Sequence, residues 1–209
     1  MSSSEKTRQK KLMKKRRKEK AKKKQAALQR SSTPERSFVR RADEFPLMEC
    51  LINDDFTETG MAMIVVARRQ SENLVIFGRY GVDLYCMGVK KTLAASNVTL
   101  SNYQTGLREE MFEEFNAVPA SLELIHQVVY GALDYARDLG FRPHRDFAWT
   151  RHVIGPPDAF PRSEELEFGR DGKPLYISGP DDNPKKIVKH LEKRLGMDGF
   201  HYIVGGPVL

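Results

Sequence analysis

The chain has 209 residues, with 35 lysines and arginines against 28 acidic residues, a net charge of +7. This length suits one domain of ordinary size with a tail, and such a domain buries its core without disulfides or metals. Two cysteines exclude a disulfide framework and favour a reducing compartment. No apolar run approaches the roughly 18 residues of a membrane span, and the N-terminus lacks the apolar core of a secretory signal. The composition therefore predicts a cytoplasmic protein without a membrane partner.

The positive charge is concentrated at the N-terminus. Residues 1–30 contain 14 basic and 2 acidic residues, a net charge of +12, which leaves 21 basic and 26 acidic residues, a net charge of −5, for residues 31–209. Such a segment has too little apolar surface to offset its ordering entropy, and its charges repel one another. We expect a disordered Lys/Arg-rich tail and linker over residues 1–44 and a folded domain over residues 45–209.

The first part of the domain predicts a helix and then strands. Residues 46–52 indicate a short helix, since Pro46 suits a first helical turn. Residues 61–69 form an apolar run rich in Val and Ile, which predicts a buried strand. Residues 74–89 predict one long strand or two, and their glycines indicate bulges or close backbone approaches. We predict that residues 61–69 and 74–82 pair as a β-hairpin.

Three helices are predicted in the middle of the chain. Residues 103–115 have a helical, acidic composition. Residues 121–139 place apolar side chains on one face at spacings of three and four, with Ser121 as N-cap and Gly140 just past the C-terminus. A short helix over residues 146–154 should stop at the Gly-Pro-Pro that follows.

A second hairpin is predicted over residues 167–177. Asp171 and Gly172 would form its turn, because both tolerate a positive φ. Because hairpins favour antiparallel pairing, the predicted fold class is α+β. We expect a single small domain in which an antiparallel or mixed sheet with two hairpins is packed by helices.

The C-terminal segment predicts one more helix and one more strand. The helix should begin at Pro184 behind an N-cap at Asp182 or Asn183, and it should end before Gly196. The strand covers residues 200–204.

The basic tail predicts polyanion binding. Each phosphate that a lysine or arginine neutralises releases condensed counterions, which drives binding without reading the base sequence. Alternatives are a solubilising tail, a nuclear-import signal or an acidic membrane, although the tail lacks an apolar face for lipid. The tail has no aromatic residue for base stacking. The residues expected to contact phosphate are Lys10, Lys11, Lys14, Lys15, Arg16, Arg17, Lys18, Lys20, Lys22, Lys23 and Lys24.

The loop around His144 is the most site-like stretch of the domain. His144 could act as an acid or base, with Asp146 to orient it. The structural alternative, which we favour, is that Asp146 caps the next helix and His144 packs or is solvated.

Asp83 and Cys86 follow a predicted strand. One carboxylate such as Asp83 is insufficient for a Mg²⁺ site. Cys86 has apolar neighbours, which predicts a buried, inert thiol.

No motif in the sequence predicts a cofactor or a metal. The histidines lack metal-ligand spacing, and neither a Walker-type nor a dinucleotide-binding glycine pattern occurs.

Three blocks of the domain, occurring in order, resemble conserved bacterial proteins of unknown function. They are residues 81–90 (GVDLYCMGVK), residues 135–147 (YARDLGFRPHRDF) and residues 167–174 (EFGRDGKP) followed by Gly179 and Pro180. The resemblance covers roughly residues 45–204. It implies a bacterial cytoplasmic protein, and it brings no activity, cofactor or catalytic residue with it.

Three functions are consistent with these features. The first is a nucleic-acid-binding accessory protein, RNA-binding or ribosome-associated, whose tail contacts the phosphate backbone. The second is a nucleic-acid- or nucleotide-acting hydrolase with a site drawing on Asp83, His144 and Asp146. The third is a scaffold for a protein partner. The sequence assigns no catalytic residue and leaves the oligomeric state open.

Overall fold

A computed structural model describes residues 33–161 and 166–204 of the chain. The helices are α1 (Thr33–Arg40), α2 (Phe56–Thr59), α3 (Leu100–Asn102), α4 (Glu109–Phe115), α5 (Leu122–Asp138), α6 (Phe147–Thr150) and α7 (Pro184–Leu195). The strands are β1 (Leu47–Asn53), β2 (Met61–Arg69), β3 (Leu74–Asp83), β4 (Gly88–Thr99), β5 (Ala117–Pro119), β6 (Leu175–Ile177) and β7 (His201–Ile203). Short 3-10 turns cover Ala42–Glu44 and Arg151–Val153, and a π-helical segment covers Tyr103–Arg108.

A five-stranded antiparallel sheet in the order β4-β3-β2-β1-β5 forms the centre of the domain. β2 and β3 pair from Met61↔Asp83 to Arg69↔Val75, which confirms the first predicted hairpin. The segment predicted as one strand or two is two strands, because residues 84–87 turn the chain into β4. The α+β class with an antiparallel sheet is therefore confirmed.

The predicted helix over residues 46–52 is wrong. This segment is β1, which pairs with β2 on one side and with β5 on the other. Its consecutive residues Cys50, Leu51 and Ile52 are all buried, with Leu51 in one core cluster and its two neighbours in another. A strand buries alternate side chains on opposite faces, so the sheet can use an apolar run that a surface helix could bury only in part.

Each face of the sheet carries its own core. On one face, Ile64 of β2 and Tyr80 of β3 pack with Val129 of α5. On the other, Val65 and Phe77 pack with Tyr103 and Met111 of the helical segment that runs through residues 100–115. That segment was predicted as a helix over residues 103–115, and the structure adds the π-helical turns at its start.

α5 agrees with its prediction at both ends. The Ser121 side chain accepts a hydrogen bond from the Leu124 N–H, and Gly140 has a φ of +82°. β4 approaches the helix so closely that a Cβ on Gly88 would lie 2.9 Å from the Ala132 carbonyl oxygen and 2.9 Å from Ala136 Cβ. Gly88 thus occupies a close backbone approach of the kind the glycine pattern predicted.

The predicted second hairpin is largely wrong. Asp171 and Gly172 do form a turn with positive φ, and a single bridge pairs Arg170 with Lys173. No ladder continues from it among the described residues. β6 instead pairs in parallel with β7, 26 residues further along at Leu175↔His201. The turn depends only on the backbone preferences of Asp171 and Gly172. The partner of β6 depends instead on where α7 places the C-terminal residues of the chain.

α7 has the predicted boundaries. The Asn183 side chain accepts from the Lys186 N–H, so Asn183 and not Asp182 is the N-cap. Gly196 ends the helix with a φ of +78°. Ile187 and Leu191 of α7 form a third core cluster with Cys86 and Leu139, among others.

Residues 33–44, which the sequence analysis placed in the linker, contain α1 and a 3-10 turn. Val39 and Ala42 are buried in the core of the α5 face. The packed part of the chain therefore includes residues upstream of Phe45. Across the described ranges, the structure holds no helix whose length and apolarity would allow it to span a bilayer.

Candidate functional site

Asp83 lies at the end of β3, where its carboxylate organises the turn into β4. Its Oδ1 accepts hydrogen bonds from the backbone N–H groups of Tyr85 at 2.9 Å and Cys86 at 3.0 Å. Burial raises the pKa of Asp83 to about 6, although the charge of Lys90 and the backbone donors oppose this rise. The carboxylate is thus committed to the turn.

A polar cluster of Lys90, Tyr176 and Asp182 lies next to this turn. Lys90 Nζ is 2.7 Å from Asp182 Oδ2, and these side chains are only 14% and 10% exposed. The same oxygen accepts from the Gly179 N–H at 2.7 Å and from the Tyr176 hydroxyl at 3.3 Å. Burial alone would raise the pKa of Asp182, but the hydrogen bonds and the charge of Lys90 outweigh it and lower that pKa.

No pattern in the sequence predicts this cluster. The sequence indicates Asp182 only as one of two residues that could cap a helix, and nothing in it connects Asp182 with Lys90 or Tyr176. The cluster joins β4 to the segment that leads into α7, so it is a tertiary contact that stabilises the packing of these two parts of the fold. The contacts of Asp182 with Lys90, Gly179 and Tyr176 are all internal to the fold and all fall on Oδ2.

His144 and Asp146 interact only loosely. His144 Nδ1 lies 3.9 Å from Asp146 Oδ2 and accepts from the Asp146 N–H at 3.3 Å. The His144 N–H donates to the Val89 carbonyl at 2.8 Å, which attaches the loop to β4. Asp146 occupies the N-cap position of α6, but its side chain makes no capping hydrogen bond to the helix. The prediction that Asp146 caps this helix through its side chain is therefore wrong.

Asp83 is not joined to the other two residues of the hypothetical hydrolase site. In the described parts of the chain, no hydrogen bond or ion pair links Asp83 to His144 or Asp146. The same parts contain no group of three or more His, Cys, Asp or Glu side chains that could hold a metal ion.

A groove of about 370 Å³ lies on the other side of the sheet, lined by Glu49 and Arg108 among others. Glu49 accepts from the Tyr103 hydroxyl at 2.8 Å and from Arg108 Nε at 3.0 Å. Burial, followed by the hydrogen bond to Glu49, raises the pKa of Tyr103. Both carboxylate oxygens of Glu49 accept hydrogen bonds from groups within the fold. The charged pair that lines the groove, Glu49 with Arg108, is therefore already hydrogen-bonded internally.

Neither cysteine is activated. Cys86 is fully buried, and burial is the main cause that raises the pKa of its thiol. Burial likewise raises the pKa of Cys50 to about 11. The prediction that Cys86 is buried is confirmed. The eleven tail residues expected to contact phosphate, Lys10 to Lys24, lie outside the described residues.

Comparisons with known proteins leave the function to be argued from the chain itself. The sequence matches no family model, and searches of curated proteins and of solved structures return no match. Neither these searches nor the resemblance noted above implies an activity for the chain.

Proposed function

We propose that this protein binds nucleic acid, and RNA in particular, through the phosphate backbone, and that its N-terminal tail supplies the principal contacts. The observation that carries the proposal is the separation of charge along the chain. Residues 1–30 hold a net charge of +12, and residues 31–209 hold −5. The tail can therefore neutralise phosphates, while the rest of the chain gives no general attraction to a polyanion.

RNA is the preferred ligand because basic segments of low complexity can fold onto its irregular surfaces. Lys, Arg, Gln, Glu and Ala, which dominate the tail, all favour helix once a polyanion removes the repulsion between charges. Binding of this kind carries no base information, because contacts to phosphate are the same for every sequence. Association with the ribosome belongs to the same proposal.

The test compares the full-length chain with a tail-neutral variant, in which Lys14, Lys15, Arg16, Arg17 and Lys18 are changed to Gln. The measurement is a fluorescence titration of single-stranded RNA and DNA at several salt concentrations. For about six neutralised phosphates, log K should fall against log salt with a slope of about −4. The variant removes five of the eleven residues expected to contact phosphate, so the magnitude of that slope should fall by about 2.

The matched control changes Lys14, Lys15 and Lys18 to Arg, which keeps the charge and should keep both the affinity and the slope. Equal affinity of the tail-neutral and wild-type chains would refute the role of the tail. If no chain binds RNA or DNA, the scaffold for a protein partner becomes the better hypothesis.

A further inference from the structure

α7 carries a concentration of positive charge that the overall charge of the domain conceals. Its twelve residues include five basic residues and one acidic residue, a net charge of +4. At about 100° per residue, four of its lysines fall within an arc of about 100° on one side of the helix. We call them the α7 lysine stripe, which consists of Lys185, Lys186, Lys189 and Lys193.

The packing of α7 fixes the direction in which the stripe faces. Ile187 and Leu191 are buried on the other side of the helix against Cys86 and Leu139. His190 anchors the same helix, because its Nε2 is 2.9 Å from the Leu139 carbonyl oxygen. The four lysines are all exposed, so the anchored helix presents the stripe to solvent.

Among the side chains that the structure describes, no ion pair joins a lysine of the stripe to a carboxylate, although Glu192 lies on the same helix. Other exposed cations do have such partners: Arg41 pairs with Glu44, Lys91 with Asp181 and Arg137 with Asp134. Like charges three and four residues apart destabilise an isolated helix. The helix keeps four of them on one side, at a cost of a few tenths of a kcal/mol for each such pair, and a bound anion would remove that repulsion.

Acidic residues such as Glu192 lie on or beside α7, but others lie on different elements. Glu109, Glu110 and Glu113 belong to α4, and Met111 of α4 packs in the core on the other face of the sheet from α5. The net charge of −5 over residues 31–209 therefore does not describe this surface, which is positive. Arg142 is also exposed and follows Phe141, whose ring centroid lies 4.9 Å from that of His190 on α7.

We propose that the α7 lysine stripe is a second phosphate-binding surface, which contacts the backbone of the nucleic acid that the tail binds. This inference rests on the proposed function and adds a rigid contact on the folded domain to it. From Lys185 to Lys193 the stripe extends about 12 Å along the helix axis, enough to contact successive phosphates. A membrane is a poorer ligand, because an interfacial helix inserts its apolar face into lipid and that face of α7 is buried.

The test uses full-length chains that carry K189Q/K193Q, with R41Q/R137Q as the matched control. Both variants lose two positive charges from exposed helical or helix-flanking positions, but the control removes cations that already have carboxylate partners. Single-stranded RNA is titrated at several salt concentrations. If each lysine contacts one phosphate, the slope for K189Q/K193Q should fall in magnitude by about 1.4, which is a loss of about 25-fold at 0.1 M salt when the affinity at 1 M is unchanged.

The tail-neutral variant separates the two proposals. If K189Q/K193Q behaves like R41Q/R137Q while the tail-neutral variant binds weakly, the inference is overturned and the role of the tail stands. If only K189Q/K193Q binds weakly, the stripe stands and the tail proposal fails.

Vesicles containing phosphatidylserine test the other source of phosphate. Loss of vesicle binding without loss of RNA binding in K189Q/K193Q would overturn the inference in favour of a membrane.

A second measurement does not depend on the variants. In the wild-type chain, bound RNA should slow the acetylation of the four stripe lysines, read by mass spectrometry, at a salt concentration where binding is saturated. Unchanged acetylation of all four lysines under saturation would overturn the inference even if the variants proved difficult to interpret.

Discussion

Lys90 Nζ lies 2.7 Å from Asp182 Oδ2, although 92 positions separate the two residues in the chain. The pair joins β4 to the segment before α7, and both side chains are mostly buried. Removing one partner leaves the other charge buried without compensation, which is far more costly than loss of the pair as a whole. Lys90→Met and Asp182→Asn should therefore each lower the free energy of unfolding by about 3 kcal/mol, measured by urea denaturation.

The neighbouring pair of Lys91 and Asp181 provides the control. Its Nζ–Oδ2 distance is 2.8 Å, but its side chains are 64% and 75% exposed. An exposed ion pair contributes little, so Lys91→Met should change the free energy of unfolding by less than about 1 kcal/mol. Equal effects of Lys90→Met and Lys91→Met would show that burial of the first pair does not matter.

The raised pKa of Asp83 predicts a pH dependence of stability. Its folded-state pKa of about 6 exceeds the ordinary value of 3.8, so the folded state holds the proton more tightly than the unfolded state. The contribution of Asp83 to stability is complete below pH about 4 and is lost as the pH rises through 6. The Asn side chain of Asp83→Asn cannot ionise. The free energy of unfolding of this variant minus that of the wild type should therefore increase by about 1 kcal/mol between pH 5 and pH 7.5.

Urea denaturation of both chains across this pH range checks the prediction. The comparison cancels the other titrating groups, because both chains share them. A difference in free energy that stays constant from pH 5 to pH 7.5 would mean that Asp83 does not titrate in this window.

Gly88 is predicted to be intolerant of a side chain. It has a φ of +66°, and a Cβ would lie 2.9 Å from the backbone oxygen of Ala132. Gly88→Ala should cost about 2–4 kcal/mol, because backbone strain and overpacking against α5 both contribute. Gly172→Ala is the control, since its φ is +74° but no atom lies within 4 Å of the added Cβ. It should cost only about 1–2 kcal/mol.

His144 and Asp146 are predicted to be dispensable for stability. The Asp146 side chain makes no capping hydrogen bond, and its distance to His144 exceeds hydrogen-bond range. His144→Ala and Asp146→Ala should each change the free energy of unfolding by less than about 1 kcal/mol, measured by thermal or urea unfolding. Loss of RNA hydrolysis, where the wild type hydrolyses RNA, would instead assign these residues to a catalytic site.

Cys86 should react slowly with a thiol reagent in the native protein. It is fully buried and burial raises the pKa of its thiol, so the reactive thiolate is both rare and inaccessible at neutral pH. Labelling should become rapid in urea, which serves as the positive control. Rapid stoichiometric labelling of the folded protein would contradict the buried position.

The sequence by itself determined the features that depend on neighbours in the chain. The β2–β3 hairpin, the Ser121 cap, a cap at Asp182 or Asn183, and the glycines that end α5 and α7 follow from local backbone and hydrogen-bond preferences. The same preferences misassigned β1, because Pro46 suits a first helical turn and Leu and Met favour a helix. Pairing with β2 and β5 makes the segment a strand instead, since tertiary burial overrides the small differences in propensity.

Only the tertiary structure decided which distant residues meet. The sequence could not connect Lys90 with Asp182, choose β7 as the partner of β6, or separate Asp83 from His144, because each depends on the folded path of the intervening chain. It also concealed the α7 lysine stripe within a domain of negative net charge. The net charge of a domain does not say where its charged residues lie. The burial of one side of a helix determines which of its charged side chains are exposed together on the other side.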